Sequence, residues 1–151
     1  FCFSYIAFSF NFNGQHIDHY LWLVFLAIPF LYPLHKFLHY IALFQYKKSL
    51  ILRLKIQYYF IPVINMRLEN GIPKKSYIFA LVTPFIIINT CLVIGGFSIP
   101  QYAHYFSGLL ALHCSICLMD FLYVKNLMSA PNNAIIEETP RGYEILVPLD
   151  L

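Results

Sequence analysis

Three side chains in this sequence have the types and spacing of a metal site. His35 and His39 lie four residues apart in "PLHKFLHYIALF", residues 33–44. On a helix that interval places both imidazoles on one face. It is the frame of the zinc-hydrolase motif H-E-x-x-H, in which the histidines bind the metal and the glutamate activates water. Here Lys36 stands in the glutamate's place. Asp120 is the only acidic residue between Glu69 and Glu137. Two imidazoles and one carboxylate form the protein side of a catalytic-type zinc site and leave a fourth position for water or substrate. The same residues also permit a metal-free arrangement. His39 could hydrogen-bond Asp120, while His35 reaches a carbonyl freed by Pro33.

The elements that must position these residues are greasy. The 151 residues are 60% hydrophobic, 19% aromatic and 11% charged, against about 25% charged in soluble domains. Residues 76–119 contain no Asp, Glu, Lys or Arg, a window long enough for two spans of about 20 residues each. The expected architecture is a single, mainly α, polytopic membrane domain over 1–151. It is a bundle of about four transmembrane helices, the first incomplete, with a short cytoplasmic β element. An ionisable side chain inside a span costs roughly 2.5–3.5 kcal/mol on insertion scales and marks a functional site with a partner; Asp120 is such a residue.

Along the chain, 1–10 is expected to end a first span, and 11–20 is a polar connector with a turn at Asn13-Gly14. Residues 20–45 form the span that carries His35 and His39, with a kink or break expected at Pro29 and Pro33. Residues 76–98 form the next span, with Pro84 as a kink and Gly95, Gly96 and Pro100 marking its end. Residues 102–124 form the last. In the tail, 125–151, Ile135 and Ile136 begin a strand and Arg141-Gly142 suggests a turn.

The segment 46–75 differs in character. Lys47, Lys48, Arg53, Lys55, Arg67, Lys74 and Lys75 are seven of the ten basic residues. Leu52–Tyr58 alternates apolar and polar, the period of a strand, with Val63–Leu68 or the Ile135–Ile136 region as its expected partner and Asn70-Gly71 as a turn. The basic segment should be cytoplasmic, because Lys and Arg set membrane orientation. The connectors at 11–20 and 99–104 hold neither residue and fall on the other side. His35, His39 and Asp120 then share one depth, near the cytoplasmic face.

Other candidates carry less. His16 and His19 are expected as exposed loop residues. Cys114 and Cys117 have the C-x-x-C spacing of redox or zinc motifs, but no second pair completes a four-cysteine site, and two small apolar residues on a helix satisfy the pattern equally. There is no Gly-rich phosphate loop and no G-x-S-x-G. The net charge of +3 gathers beside the spans, which suits anionic lipid headgroups and not nucleic acid.

The pieces "LHKFLH", the basic strand-like segment, "IPKKSYIFALVTPF", "GLLALHCSICLMD" and "APNNAIIEE…GYEIL" together cover most of residues 20–147. In order and combined spacing they resemble the "putative zincin peptidase" family. These are small bacterial membrane proteins classed as a domain of unknown function and distantly similar to site-2-protease-type intramembrane metalloproteases. The resemblance implies a multi-pass bacterial cell-membrane protein with zinc as cofactor and His35, His39 and Asp120 as ligands.

Lys36 departs from that pattern. An ammonium beside a divalent cation is repelled, and only strong desolvation would neutralise a lysine into a base. Alternatively Lys36 points away and snorkels to the interface. Three functions stay open: a non-catalytic metalloprotease homologue that binds a membrane protein or peptide partner, an active intramembrane zinc metalloprotease with an unconventional base, and a metal-free scaffold or transport-associated subunit.

Overall fold

The computed structural model describes residues 1–10, 12, 14–48, 50–57, 61–68, 71–139 and 142–147. Asn13, Tyr58, Asn70 and Arg141, on which expected turns and the end of the first strand fall, lie outside the described residues. Five α-helices are described: α1 (Cys2–Ser9), α2 (Leu21–Ala42), α3 (Lys74–Ser98), α4 (Ala103–Ile116) and α5 (Leu118–Met128). The strands are β1 (Leu50–Gln57), β2 (Ile61–Leu68), β3 (Ile72–Pro73), β4 (Ile135–Thr139) and β5 (Gly142–Leu146).

The molecule is mainly helical, and α2 and α3 are each long and apolar enough to cross a membrane. Pro100–Ile116 with Leu118–Met128 makes a third span if that broken pair acts as one. Two or three candidate spans therefore stand among the described residues; α1, with eight residues, is too short to cross alone. Trp22, Phe25, Phe30 and Phe37 on α2 and Phe79, Ile86, Ile94 and Phe97 on α3 are each more than half exposed. So much large apolar surface turned outward suits a hydrocarbon solvent.

α2 continues as helix through Pro29 and Pro33, as α3 does through Pro84; a span tolerates proline where other groups take up the freed carbonyl. The stretch expected as one span over 102–124 is instead divided at Cys117, whose N–H bonds back to the His113 carbonyl at 3.0 Å.

The chain divides into two compact units, Phe1–His35 with Pro84–Met119, and Lys36–Thr83 with Asp120–Leu151. In the first unit the glycines expected to end α3 lie inside it and serve packing. A Cβ on Gly95 would strike the Phe106 ring of α4, and one on Gly96 would strike the Phe8 ring of α1. Small residues allow this close approach where helices pack in lipid. His16, expected as an exposed loop residue, is half-buried, with its Nε2 3.1 Å from the Tyr5 hydroxyl; His19 is exposed. His104 Nε2 lies 3.0 Å from Asp18 Oδ1.

The second unit contains the sheets. β1 and β2 pair antiparallel, with Leu52 opposite Met66 and Lys55 opposite Val63, so the period-2 alternation found its partner in the next segment. β3, β4 and β5 form a three-stranded antiparallel sheet, with Ile72 opposite Ile136 and Ile136 opposite Ile145. The strand expected at Ile135 is β4. The core is Leu43, Ile72, Tyr77, Ala80, Leu81, Leu127 and Ile136. Lys74 is buried at the start of α3 and donates from Nζ to the Ala130 carbonyl at 2.6 Å, answering a backbone acceptor just past the end of α5.

Candidate metal centre

α2 delivers both histidines of the motif. Being four residues apart, they leave the helix one turn apart on one face, and both are buried, His35 at 1% and His39 at 6% exposure. Their surroundings differ. The unit boundary falls between His35 and Lys36.

In the second unit, His39 Nδ1 lies 2.8 Å from the Ala80 carbonyl oxygen. A carbonyl only accepts, so Nδ1 carries the proton and donates. The local cause is Pro84. It stands four residues after Ala80 and has no N–H, so the Ala80 carbonyl lacks its ordinary helical donor, and His39 supplies one. The other ring nitrogen, Nε2, lies 3.5 Å from Asp120 Oδ2. Asp120 comes from the first turn of α5 and is buried at 9% exposure.

This geometry fits a metal. With Nδ1 protonated, a neutral His39 presents a lone pair at Nε2, and Asp120 presents another. Two acceptors set 3.5 Å apart leave room for a cation between them, a proton or a metal ion. A charge-assisted N–H···O bond is shorter, at about 2.7–2.9 Å. Two ligands each 2.0–2.1 Å from one tetrahedral zinc stand about 3.4 Å apart. The Nδ1–H to carbonyl bond is the outer support that metal-binding histidines commonly have.

His39 and Asp120 open onto a cavity of about 80 Å³ lined also by Lys36, Tyr77, Tyr123 and Glu138, large enough for water. Lys36 is thus among the residues that line the cavity beside His39. Tyr77 donates its hydroxyl to Glu138 Oε1 at 2.8 Å. Around His39 the cavity therefore collects one basic and two acidic residues.

In the first unit, His35 joins two residues that the motif reading passed over. Its Nδ1 lies 3.2 Å from His113 Nε2, and Cys117 Sγ lies 3.6 Å from that same Nε2. All three are buried, and together they form a group with the residue types to hold a metal. His113 Nδ1 lies 2.7 Å from Asn89 Oδ1, and Asn89 Nδ2 reaches Cys114 Sγ at 3.6 Å. The available signal was the spacing of His113 and Cys117, four apart like His35 and His39. The C-x-x-C frame drew attention to the wrong pair: Cys114 is exposed and Cys117 buried.

The sequence profile of the family described as "putative zincin peptidase" matches residues 28–135, a stretch that includes His35, His39, His113 and Asp120. The chain belongs to that family. No curated protein and no solved structure matches it.

Proposed function

We propose that this is a membrane zincin homologue whose ligand set is His35, His39 and Asp120 and whose role is to bind a membrane protein or peptide rather than to cut one. The observation that carries the proposal is the His39 geometry: Nδ1 committed to the Ala80 carbonyl, Nε2 set against Asp120 at 3.5 Å. His35 joins the set through its place one turn earlier on the same helix face. Two or three helices able to cross a membrane support a membrane location, with the basic segment around β1 and β2 on the cytoplasmic side. Zinc held there would polarise a carbonyl or lower the pKa of bound water.

Lys36 is the reason for the non-catalytic assignment. It occupies the motif's base position and lines the cavity beside His39, where a protonated ammonium has no lone pair to accept a proton from water. General acid–base assistance is worth about 10²–10⁴-fold, so its loss leaves a scaffold with little turnover. The test measures zinc content and chelator-sensitive cleavage of a membrane-peptide substrate by the native protein, Lys36→Glu and Lys36→Ala. Zinc is expected in all three, with cleavage gained in Lys36→Glu alone. Cleavage by the native protein that disappears in Lys36→Ala would make the lysine a base and overturn the assignment. Native protein that takes up no zinc would overturn the ligand set.

A further inference from the structure

Beyond the ligands themselves, the protons of the first unit can be followed atom by atom. Asn89 Nδ2 points to Cys114 Sγ, so Oδ1 is the atom that meets His113 Nδ1 at 2.7 Å. An amide oxygen only accepts. His113 Nδ1 therefore carries the proton, and Nε2 carries the lone pair of the neutral ring. That lone pair meets His35 Nδ1 at 3.2 Å, which makes His35 Nδ1 the donor. The chain of donors runs from His35 to His113 to Asn89 and leaves the lone pair of His35 on Nε2.

We propose that His113 and Asn89 are positioning residues that fix the tautomer and ring orientation of His35, so that Nε2 is its metal-binding atom. This rests on the proposed ligand set and deepens it. An imidazole in place of the usual carboxylate or carbonyl makes the support depend on a second side chain. With Asn89 gone, His113 can turn its proton to Nε2, and His35 must then accept at Nδ1.

The same three buried residues have a competing use, as a thiolate-containing metal site of their own. Two observations decide against it. Cys117 Sγ lies 3.6 Å from His113 Nε2 and 3.8 Å from Nδ1, so the sulfur sits over the ring. A sulfur sharing a tetrahedral zinc with Nε2 would lie about 5 Å from the far nitrogen, taking zinc–nitrogen and zinc–sulfur distances of about 2.05 and 2.3 Å. In addition, the hydrogen bond between the histidines already occupies the two nitrogens that such a site would need.

The experiment uses the full chain in detergent with zinc as the probe. It reads zinc affinity by chelator competition, the His35 tautomer by ¹⁵N NMR of the metal-free protein, and the metal's neighbours by X-ray absorption. Asn89→Leu should weaken zinc binding about 10–100-fold, the usual cost of removing outer support, and move the His35 proton from Nδ1 to Nε2. Asn89→Asp keeps the acceptor and should restore both readings. His113→Phe keeps a ring in place and should show the same loss as Asn89→Leu, which covers the case where that variant fails to fold. Unchanged affinity and tautomer in Asn89→Leu or in His113→Phe would overturn the proposal. So would a sulfur neighbour about 2.3 Å from zinc, because Cys117 would then be a ligand. If native protein binds no zinc, the ligand set fails while the tautomer still tests the relay: a His35 proton on Nδ1 that moves in Asn89→Leu supports it, and a proton on Nε2 in native protein overturns it.

Discussion

His35 and His39 stand one turn apart on the same helix, yet they are held in opposite ways. His39 rests on backbone: its Nδ1 proton goes to the Ala80 carbonyl. His35 rests on side chains: its Nδ1 meets His113, which in turn meets Asn89. A carbonyl cannot be mutated away, so His39's support can be reached only through Pro84, which leaves that carbonyl without its helical donor. The support of His35 can be removed by one substitution at either of two positions. The surroundings differ as well. His39 looks onto a cavity lined by Lys36, Asp120 and Glu138, and His35 onto His113 and Cys117. Acidic and basic residues are thus gathered around one ligand, an imidazole and a thiol around the other. A motif that is symmetric in sequence is asymmetric in its physical support.

The largest effect that separates the two sides should come from Asp120→Ala. It removes the partner of His39 Nε2 directly, and zinc affinity should fall by more than the roughly 100-fold ceiling of an outer-support change. The relay should be untouched, with the His35 proton still on Nδ1 by ¹⁵N NMR. If Asp120→Ala binds zinc as the native protein does, the carboxylate is not a ligand and the asymmetry loses its charged half.

A smaller effect is expected from Pro84→Ala. It restores an N–H four residues after Ala80, so the carbonyl gains its helical donor and His39 must share it. A carbonyl oxygen has two lone pairs and can accept both bonds. The loss of zinc affinity should therefore stay below about tenfold, the low end for outer support, and a chelator titration beside Asn89→Leu would rank the two supports. A loss from Pro84→Ala larger than that from Asn89→Leu would reverse the comparison.

The smallest effect should come from Cys117→Ser. A sulfur that packs over the His113 ring can be exchanged for oxygen with little consequence for the metal, less than about twofold in affinity, since the thiol here acts as a small packing group. A large loss in the same titration would place sulfur in the coordination shell.

The sequence alone determined the features with a strong local period or a bulk composition. The charge-free window over 76–119 and the apolar run around His35 required long helices. The alternation in Leu52–Gln57 specified a strand, and the four-residue interval of His35 and His39 put both rings on one face. These follow from backbone geometry and solvent preference, which act on neighbours in the chain. The tertiary structure decided what each ring meets. Ala80 became an acceptor for His39 because Pro84 had removed that carbonyl's own donor, and nothing in the spacing of α2 points to α3. Gly95 and Gly96 follow the same rule: in sequence they resemble a helix end, and only the rings of Phe106 and Phe8 show that they make room. Lys36 was brought to the wall of the cavity beside His39. His113, Cys117 and Asn89 joined His35 because two other helices brought them there. Contacts between side chains far apart in the chain depend on packing, and packing leaves no period in the sequence.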